Sequence, residues 1–170
     1  KLGIEFYDRD IVDEVAKQLN LPVSRISEAE EKAHHRLFSH MFPLGTDEEY
    51  IQDMIFDVQK DIILDLAAKS SCIIVGRCGD YVLRSYPDLI DVFICADMED
   101  RVRRIMDRYS FSERDAVNAI KSTDRRRKNY YENYTKRKWG SIESHQMLLN
   151  ISKLGMDKTV RIIKGIYETP

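Results

Sequence analysis

Short apolar runs and amphipathic stripes alternate along the chain. Ile4 to Tyr7 reads as a strand, and Ile11, Val12, Val15, Ala16 and Leu19 then recur at helical spacing, with Asp8 or Asp10 as the N-cap. Asn20-Leu21-Pro22 ends that helix. Ser27-x-x-Glu30 has the form of a capping box and predicts a polar helix running toward Phe42, before Pro43-Leu44-Gly45 breaks the chain. Thr46-x-x-Glu49 opens a long helix with Ile51, Met54, Ile55, Val58, Ile62 and Leu66 on one stripe. Cys72 to Val75 is a continuous apolar strand of the kind covered on both faces. A short helix through Tyr81 to Ser85 and a turn at Pro87-Asp88 lead to a third strand, Asp91 to Cys95. Asp97 caps a helix carrying Val102, Ile105 and Met106. Ser112-x-x-Asp115 starts the next, with Ala116, Val117 and Ile120 inward. Met147 to Ile151 is the last strand, and Gly155 turns into a final helix with Val160, Ile163 and Tyr167.

Strands that alternate with helices predict an α/β layer fold with a mostly parallel sheet and right-handed crossovers. Four short strands are few for about six helices, which predicts that a further strand of the sheet lies outside these residues. A length of 170 residues suits one domain, and 43% hydrophobic with 33% charged residues suits a globular one. The net charge of −2 hides an asymmetry. Residues 1–75 carry 8 basic and 15 acidic side chains, and residues 76–170 carry 19 and 14. A positive half in a near-neutral chain argues for a local anionic ligand and against a coat of nucleic acid. No run approaches the ~18 apolar residues of a membrane span. Cys72, Cys78 and Cys95 form no C-x-x-C pair; Cys72 and Cys95 read as small core residues, and the sparse cysteine suits a reducing, cytoplasmic setting. His34, His35, His40 and His145 form no H-E-x-x-H, so no metal ligands are assigned.

The chemistry concentrates in arginines. Arg77 follows directly from an apolar strand, where ligands of open α/β sheets bind. Asp80, three residues on, either orients Arg77 or accepts from a base or sugar; a plain Arg–Asp pair beside a turn is the alternative. Asp8 leaves the first strand at the same end of the sheet, as a helix cap, a ligand contact, or both. Arg101, Arg104 and Arg108 fall along one helix face, and Arg127, Tyr131 and Tyr134 along another. The short connection Tyr109-Ser110-Phe111-Ser112 lets two arginine faces close over phosphates like a lid. Solvated helix faces are the bland reading of the same rows. Trp139 is a packing anchor or a base-stacking ring, with packing favoured. No G-x-x-x-x-G-K-[ST] occurs in these 170 residues, so they contain no complete triphosphate loop.

Together these residues resemble the cytidylate kinase-like family, a branch of the P-loop nucleoside-monophosphate kinases. The resemblance rests on Phe6-Tyr7-Asp8, on Cys72 to Arg84 including Val75-Gly76-Arg77-Cys78, on Val92-Phe93-Ile94 with Arg101-x-x-Arg104-Ile105, and on Thr123-Asp124, Arg126, Asn129-Tyr130-Tyr131 and Trp139-Gly140. It spans nearly the whole chain. It implies a three-layer P-loop-NTPase-like fold in a single domain, with a lid at about 101–138. The acidic 24–50 region would be a mobile acceptor-binding lobe or a homodimer face. It also implies that about 25 residues with a strand and phosphate loop precede Leu2-Gly3. Cytidylate kinases carry Gly-Arg-Asp where this chain has Gly76-Arg77-Cys78, and Asp80 is the candidate substitute. The activity implied is transfer of the γ-phosphoryl of ATP, with Mg²⁺, to a nucleoside monophosphate. Arg77 would then hold the acceptor phosphate, and Asp8 and Asp80 would orient the acceptor. Arg104, Arg108, Arg126 and Arg127 would neutralise the transferring group. A nucleotide sensor on the same scaffold is the second reading. A nucleic-acid binder using Arg125–Lys128 and Lys136–Lys138 is the third, marked by oligonucleotide affinity that falls steeply with salt.

Overall fold

The structure, a computed structural model, describes residues 2–32 and 47–169. The predicted break at Pro43-Leu44-Gly45, the Thr46 cap, His34, His35, His40 and the middle of the 24–50 region lie outside the described residues. The elements run β1 (Glu5–Tyr7), α1 (Arg9–Leu19), α2 (Val23–Lys32), α3 (Asp47–Lys69), β2 (Cys72–Ile74), α4 (Gly79–Val82), β3 (Val92–Cys95), α5 (Met98–Tyr109), α6 (Glu113–Thr135), β4 (Met147–Asn150), α7 (Ile151–Leu154) and α8 (Met156–Glu168). The fold is α/β, and its strand pairs are parallel. Among the described residues they form two two-stranded sheets, β1–β2 and β3–β4, where the sequence pattern predicts one. Glu5 pairs with Cys72 and Tyr7 with Ile74, and the Val75 N–H donates to the Tyr7 carbonyl at 2.9 Å. Val92 pairs with Met147, and the ladder runs to Cys95 with Asn150. The helices between the partners supply the long crossovers that parallel pairing needs. No described helix is long and apolar enough to cross a membrane.

The chain divides into two compact units, Lys1–Leu89 with Arg126–Arg137, and Ile90–Arg125 with Lys138–Pro170. In the first, the α1 stripe buries Ile11, Val12, Val15 and Ala16 against Ile26 of α2 and Ile55, Ile62 and Ile63 of α3. Full burial of each isoleucine or valine among them contributes about 1.5–3 kcal/mol. Asn20 stops α1 in the left-handed region at φ 51°, with its N–H turned back to the Ala16 and Lys17 carbonyls. Helix α2 begins at Val23, not at Ser27: the Pro22 carbonyl accepts from the Arg25 and Ile26 amides, and the fully buried Ile26 fixes this first turn. Ser27 therefore lies inside the helix. Gln59 is fully buried on the core stripe of α3, and its Oε1 accepts from the Tyr130 hydroxyl of α6. One turn earlier on α3, Phe56 stacks on Tyr134 with centroids 4.0 Å apart.

In the second unit, Val102 of α5 packs on Ala116 and Ile120 of α6, with Ile105, Met106 and Val117 around them. Ser110 closes α5 at φ 55°. Ser112 Oγ accepts from the Asp115 amide at 3.2 Å and donates to the Asp115 carboxylate at 2.6 Å, so the predicted cap at Ser112 is present. Asp97 occupies the N-cap position of α5 without capping. Its carboxylate takes Lys153 at 2.6 Å and Asn150 Nδ2 at 2.9 Å, while its amide donates to Ser152 Oγ at 2.9 Å. This clasp joins the carboxyl ends of β3 and β4. Asn150 also accepts from the Ser152 amide, which starts α7 and ends β4 one residue before the predicted limit. At the other end of the pair, Asp91 receives the buried His145 ring at 3.1 Å and the Gln146 amide at 3.4 Å. Trp139 meets Phe93 edge-on with centroids 5.3 Å apart, the packing role expected of it. Cys72, Cys78 and Cys95 are free thiols. Against expectation, Cys72 and Cys95 are only half-buried, because both strands are three or four residues long and end beside them; Cys78 is the buried one.

Gly140 sits at φ 65°, and a Cβ there would lie 2.8 Å from Phe93 Cζ. Gly140→Ala is expected to cost at least about 1–2 kcal/mol from the left-handed backbone alone, with the ring clash added. Chemical denaturation measures it, and an unchanged midpoint with unchanged slope contradicts the contact. The clasp predicts a small pH effect, since its groups are exposed. Hydrogen bonds from Lys153 and then Asn150 hold Asp97 below the ordinary carboxylate range. Its contribution is therefore present above the unfolded carboxylate value and is lost as pH falls through the folded one. Hydrogen bonding to Asp97 raises Lys153, whose contribution is present below the ordinary lysine value and lost as pH rises through the raised one. Melting curves of wild type and Lys153→Met should differ at neutral pH and converge toward both extremes.

Candidate functional site

Three successive residues after β2 adopt left-handed backbone: Gly76 at φ 74°, Arg77 at 53° and Cys78 at 55°. Glycine does this freely, but each L-residue with a Cβ gives up about 1–2 kcal/mol. The Gly79 N–H closes the turn on the Gly76 carbonyl at 2.9 Å. Gly79 is itself buried, and a Cβ there would lie 3.1 Å from Ile74 Cγ2. A wider residue would thus push the turn off the strand end. The outcome is that Arg77 stands at the carboxyl end of a parallel strand, half-buried, with its Nε buried. Asp8 follows β1, the partner of β2, so both residues leave the same end of one sheet. Asp8 holds the N-cap position of α1 but makes no cap hydrogen bond. Its ψ of −85° lies outside the extended backbone from which a cap side chain reaches the first-turn amides.

Asp80 lies in the first turn of α4, half-buried. Its Oδ2 accepts from the Tyr131 hydroxyl of α6 at 2.7 Å. Tyr131 is 6% exposed. Burial first, and then the Asp80 hydrogen bond and charge, hold its phenol well above the usual range. Next to Asp80, the Tyr81 ring faces the guanidinium of Arg84 at 4.2 Å and that of Arg137 at 5.6 Å. This corner therefore combines an arginine beyond a strand end, a carboxylate pinned by a buried hydroxyl, and two further cations on one ring. Guanidinium groups suit phosphate oxygens, and a fixed carboxylate suits the N–H or O–H of a base or sugar.

The arginine rows divide by environment. Arg101 is tied to Asp124 at 2.7 Å, a partly buried ion pair between α5 and α6, and so serves the hairpin. Arg104 and Arg108 are exposed one turn apart and, with Arg103, Asp100 and Asp107, line an open depression of about 380 Å³ on α5. Arg126 is half-buried and Arg127 exposed on the later part of α6. Of the residues picked from sequence, Asp8, Arg77, Asp80, Arg126 and Arg127 belong to the first compact unit, and Arg104 and Arg108 to the second. The Tyr131–Asp80 bond was not legible in the sequence. The two residues are 51 apart, and the tyrosine pair offered only a helical face.

Arg77→Gly and Arg77→Ala both remove the guanidinium, but only glycine tolerates φ 53° without strain. The glycine variant is expected to be more stable than the alanine variant by about 1 kcal/mol, the reverse of the order in an ordinary loop or helix. Urea unfolding of the pair decides it; an alanine variant as stable as the glycine one removes the left-handed turn.

In comparison with solved structures, the chain is similar to an uncharacterised protein from Eubacterium ventriosum, with a TM-score of 0.74 and 29% sequence identity over 98% of this chain and 85% of that one. No curated protein matches. The family model described as the cytidylate kinase-like family matches residues 1–153. That match takes in the strand-end arginine turn, Asp80 with its tyrosine, and both arginine-bearing helices, and by it the chain belongs to the cytidylate kinase-like family.

Proposed function

We propose that this protein transfers the γ-phosphoryl group of ATP to a nucleoside monophosphate, with cytidylate the first acceptor to test. The observation that carries the reading is the strained Gly76–Arg77–Cys78 turn, which spends backbone energy to hold an arginine beyond a strand end. Family membership supports a nucleotide-related kinase. Arg77 binds the acceptor phosphate, and Asp8 and Asp80 orient the acceptor. Arg126 and Arg127 on α6, and Arg104 and Arg108 on α5, neutralise charge on the transferring group. Bound ATP supplies the phosphoryl group, and Mg²⁺ screens its oxygens. The donor chemistry fits such a ligand: planar guanidinium forks match phosphate oxygens, and Arg104 and Arg108 stand exposed in an open depression. A three-layer P-loop arrangement in a single domain, with residues 101–138 as lid and 24–50 as acceptor lobe or dimer face, completes the reading.

Thermal unfolding with ATP–Mg²⁺ and each nucleoside monophosphate tests it, since a ligand of the native state raises the midpoint by mass action. A shift with ATP and with one monophosphate, followed by diphosphate formation from that pair, is the expected result. Arg77→Ala should then lower turnover by about two orders of magnitude or more, the scale of losing one charge-stabilising donor, while the fold survives. An alanine variant of full activity would falsify the Arg77 assignment. Shifts without turnover, in protein carrying its full natural sequence, would make the chain a nucleotide sensor.

A further inference from the structure

We infer that Tyr131 is the positioning residue of acceptor recognition, its hydroxyl fixing the Asp80 carboxylate for a hydrogen bond to the acceptor's base or sugar. This rests on the phosphotransferase reading above. The argument starts from burial. Tyr131 is 6% exposed, and its hydroxyl is directed at Asp80 Oδ2, 2.7 Å away. A hydroxyl–carboxylate bond of this length is charge-assisted and about twice as strong as a neutral one. Burial and the Asp80 charge keep the proton on Tyr131 throughout the working pH range, so it stays a donor.

Anchoring adds to this. Tyr131 does not move alone, because its neighbour Tyr130 donates to the buried Gln59 and Tyr134 stacks on Phe56 of the same helix. The α6 backbone at Tyr131 is therefore held from both sides, and Asp80 is held through it. The carboxylate lies three residues beyond Arg77, separated from it only by the closed left-handed turn. A rotation of Asp80 would separate base or sugar recognition from phosphate recognition. The strained turn sets one contact, and the buried tyrosine sets the other.

Tyr131→Phe keeps the ring and removes only the donor. The expected result is a rise of about tenfold or more in KM for the preferred monophosphate, the worth of one hydrogen bond to a charged group. KM for ATP should stay unchanged, and discrimination among the monophosphates should narrow by a similar factor. Asp80→Asn is expected to give the same pattern. The double variant should lose no more than the worse single one, because the two act as one device. A purely structural tyrosine would lower the melting temperature and leave discrimination intact, which overturns the inference. Losses that multiply in the double variant overturn it as well. Should Tyr131→Phe fail to fold, Asp80→Asn with unchanged discrimination is enough to reject it. Wild-type protein that binds no monophosphate removes the phosphotransferase reading and this inference with it. Wild type that binds one, beside a Tyr131→Phe variant of equal affinity and selectivity, removes the inference alone.

Discussion

Buried polar groups need partners, and in the first compact unit those partners come from one distant helix face. Gln59 sits at zero exposure on the apolar stripe of α3, where an unpaired amide would cost about 1–3 kcal/mol. The Tyr130 hydroxyl meets it, Tyr131 meets Asp80, and Tyr134 covers Phe56. The three rings fall on neighbouring positions of one helix, so satisfying one fixes the others. The loop after β2 depends on this arrangement, because Asp80 at the start of α4 is tied to the middle ring. The same tyrosines follow within six residues of the run Arg125–Lys128 on α6. That run reads as a charge cluster in sequence, and its aromatic continuation is a packing surface in the fold.

Much of the architecture was readable from periodicity. All four strands were expected, each off by one residue at one end only, because apolar runs bounded by polar turns leave little choice of limits. The failures have physical causes. Ser27 looks like a cap, yet Pro22 and the buried Ile26 start the helix a turn earlier, so tertiary burial outweighs the local motif. Asp97 and Asp8 stand at N-cap positions without capping. Asp97 has better donors in Lys153 and Asn150, more than 50 residues away, which no local pattern contains. In the candidate site, the strand-end position of Arg77 was legible. The sharing-out of the arginines was not: Arg101 goes to Asp124, while Arg104 and Arg108 remain on the surface.

The turn at Gly76–Cys78 illustrates how this scaffold treats stability and recognition differently. Elsewhere, left-handed backbone is placed at helix ends and chain turns, such as Asn20 and Ser110, where it terminates an element. After β2 it appears three times in a row, two of them at residues with side chains, and it terminates nothing that a single glycine could not. Strain without a local structural benefit is expected where a side chain must leave the backbone in one direction. Gly79 contributes from below by letting the chain lie against Ile74.

The division of the chain into units also bears on how it is made. The first unit is discontinuous, closed by Arg126–Arg137 after an excursion of 36 residues through the second. At typical synthesis rates of about 5–20 residues per second, its first 89 residues wait several seconds for the segment that completes them. During that interval Gln59 and Asp80 lack their tyrosine partners. The intervening residues include the α5–α6 hairpin, which is local in sequence and quick to form. Helix α6 can therefore be nucleated from its capped start at Ser112 before its tyrosine face reaches the waiting unit. The last contacts of the earlier core thus come from a helix that starts inside the intervening segment, at the Ser112 cap.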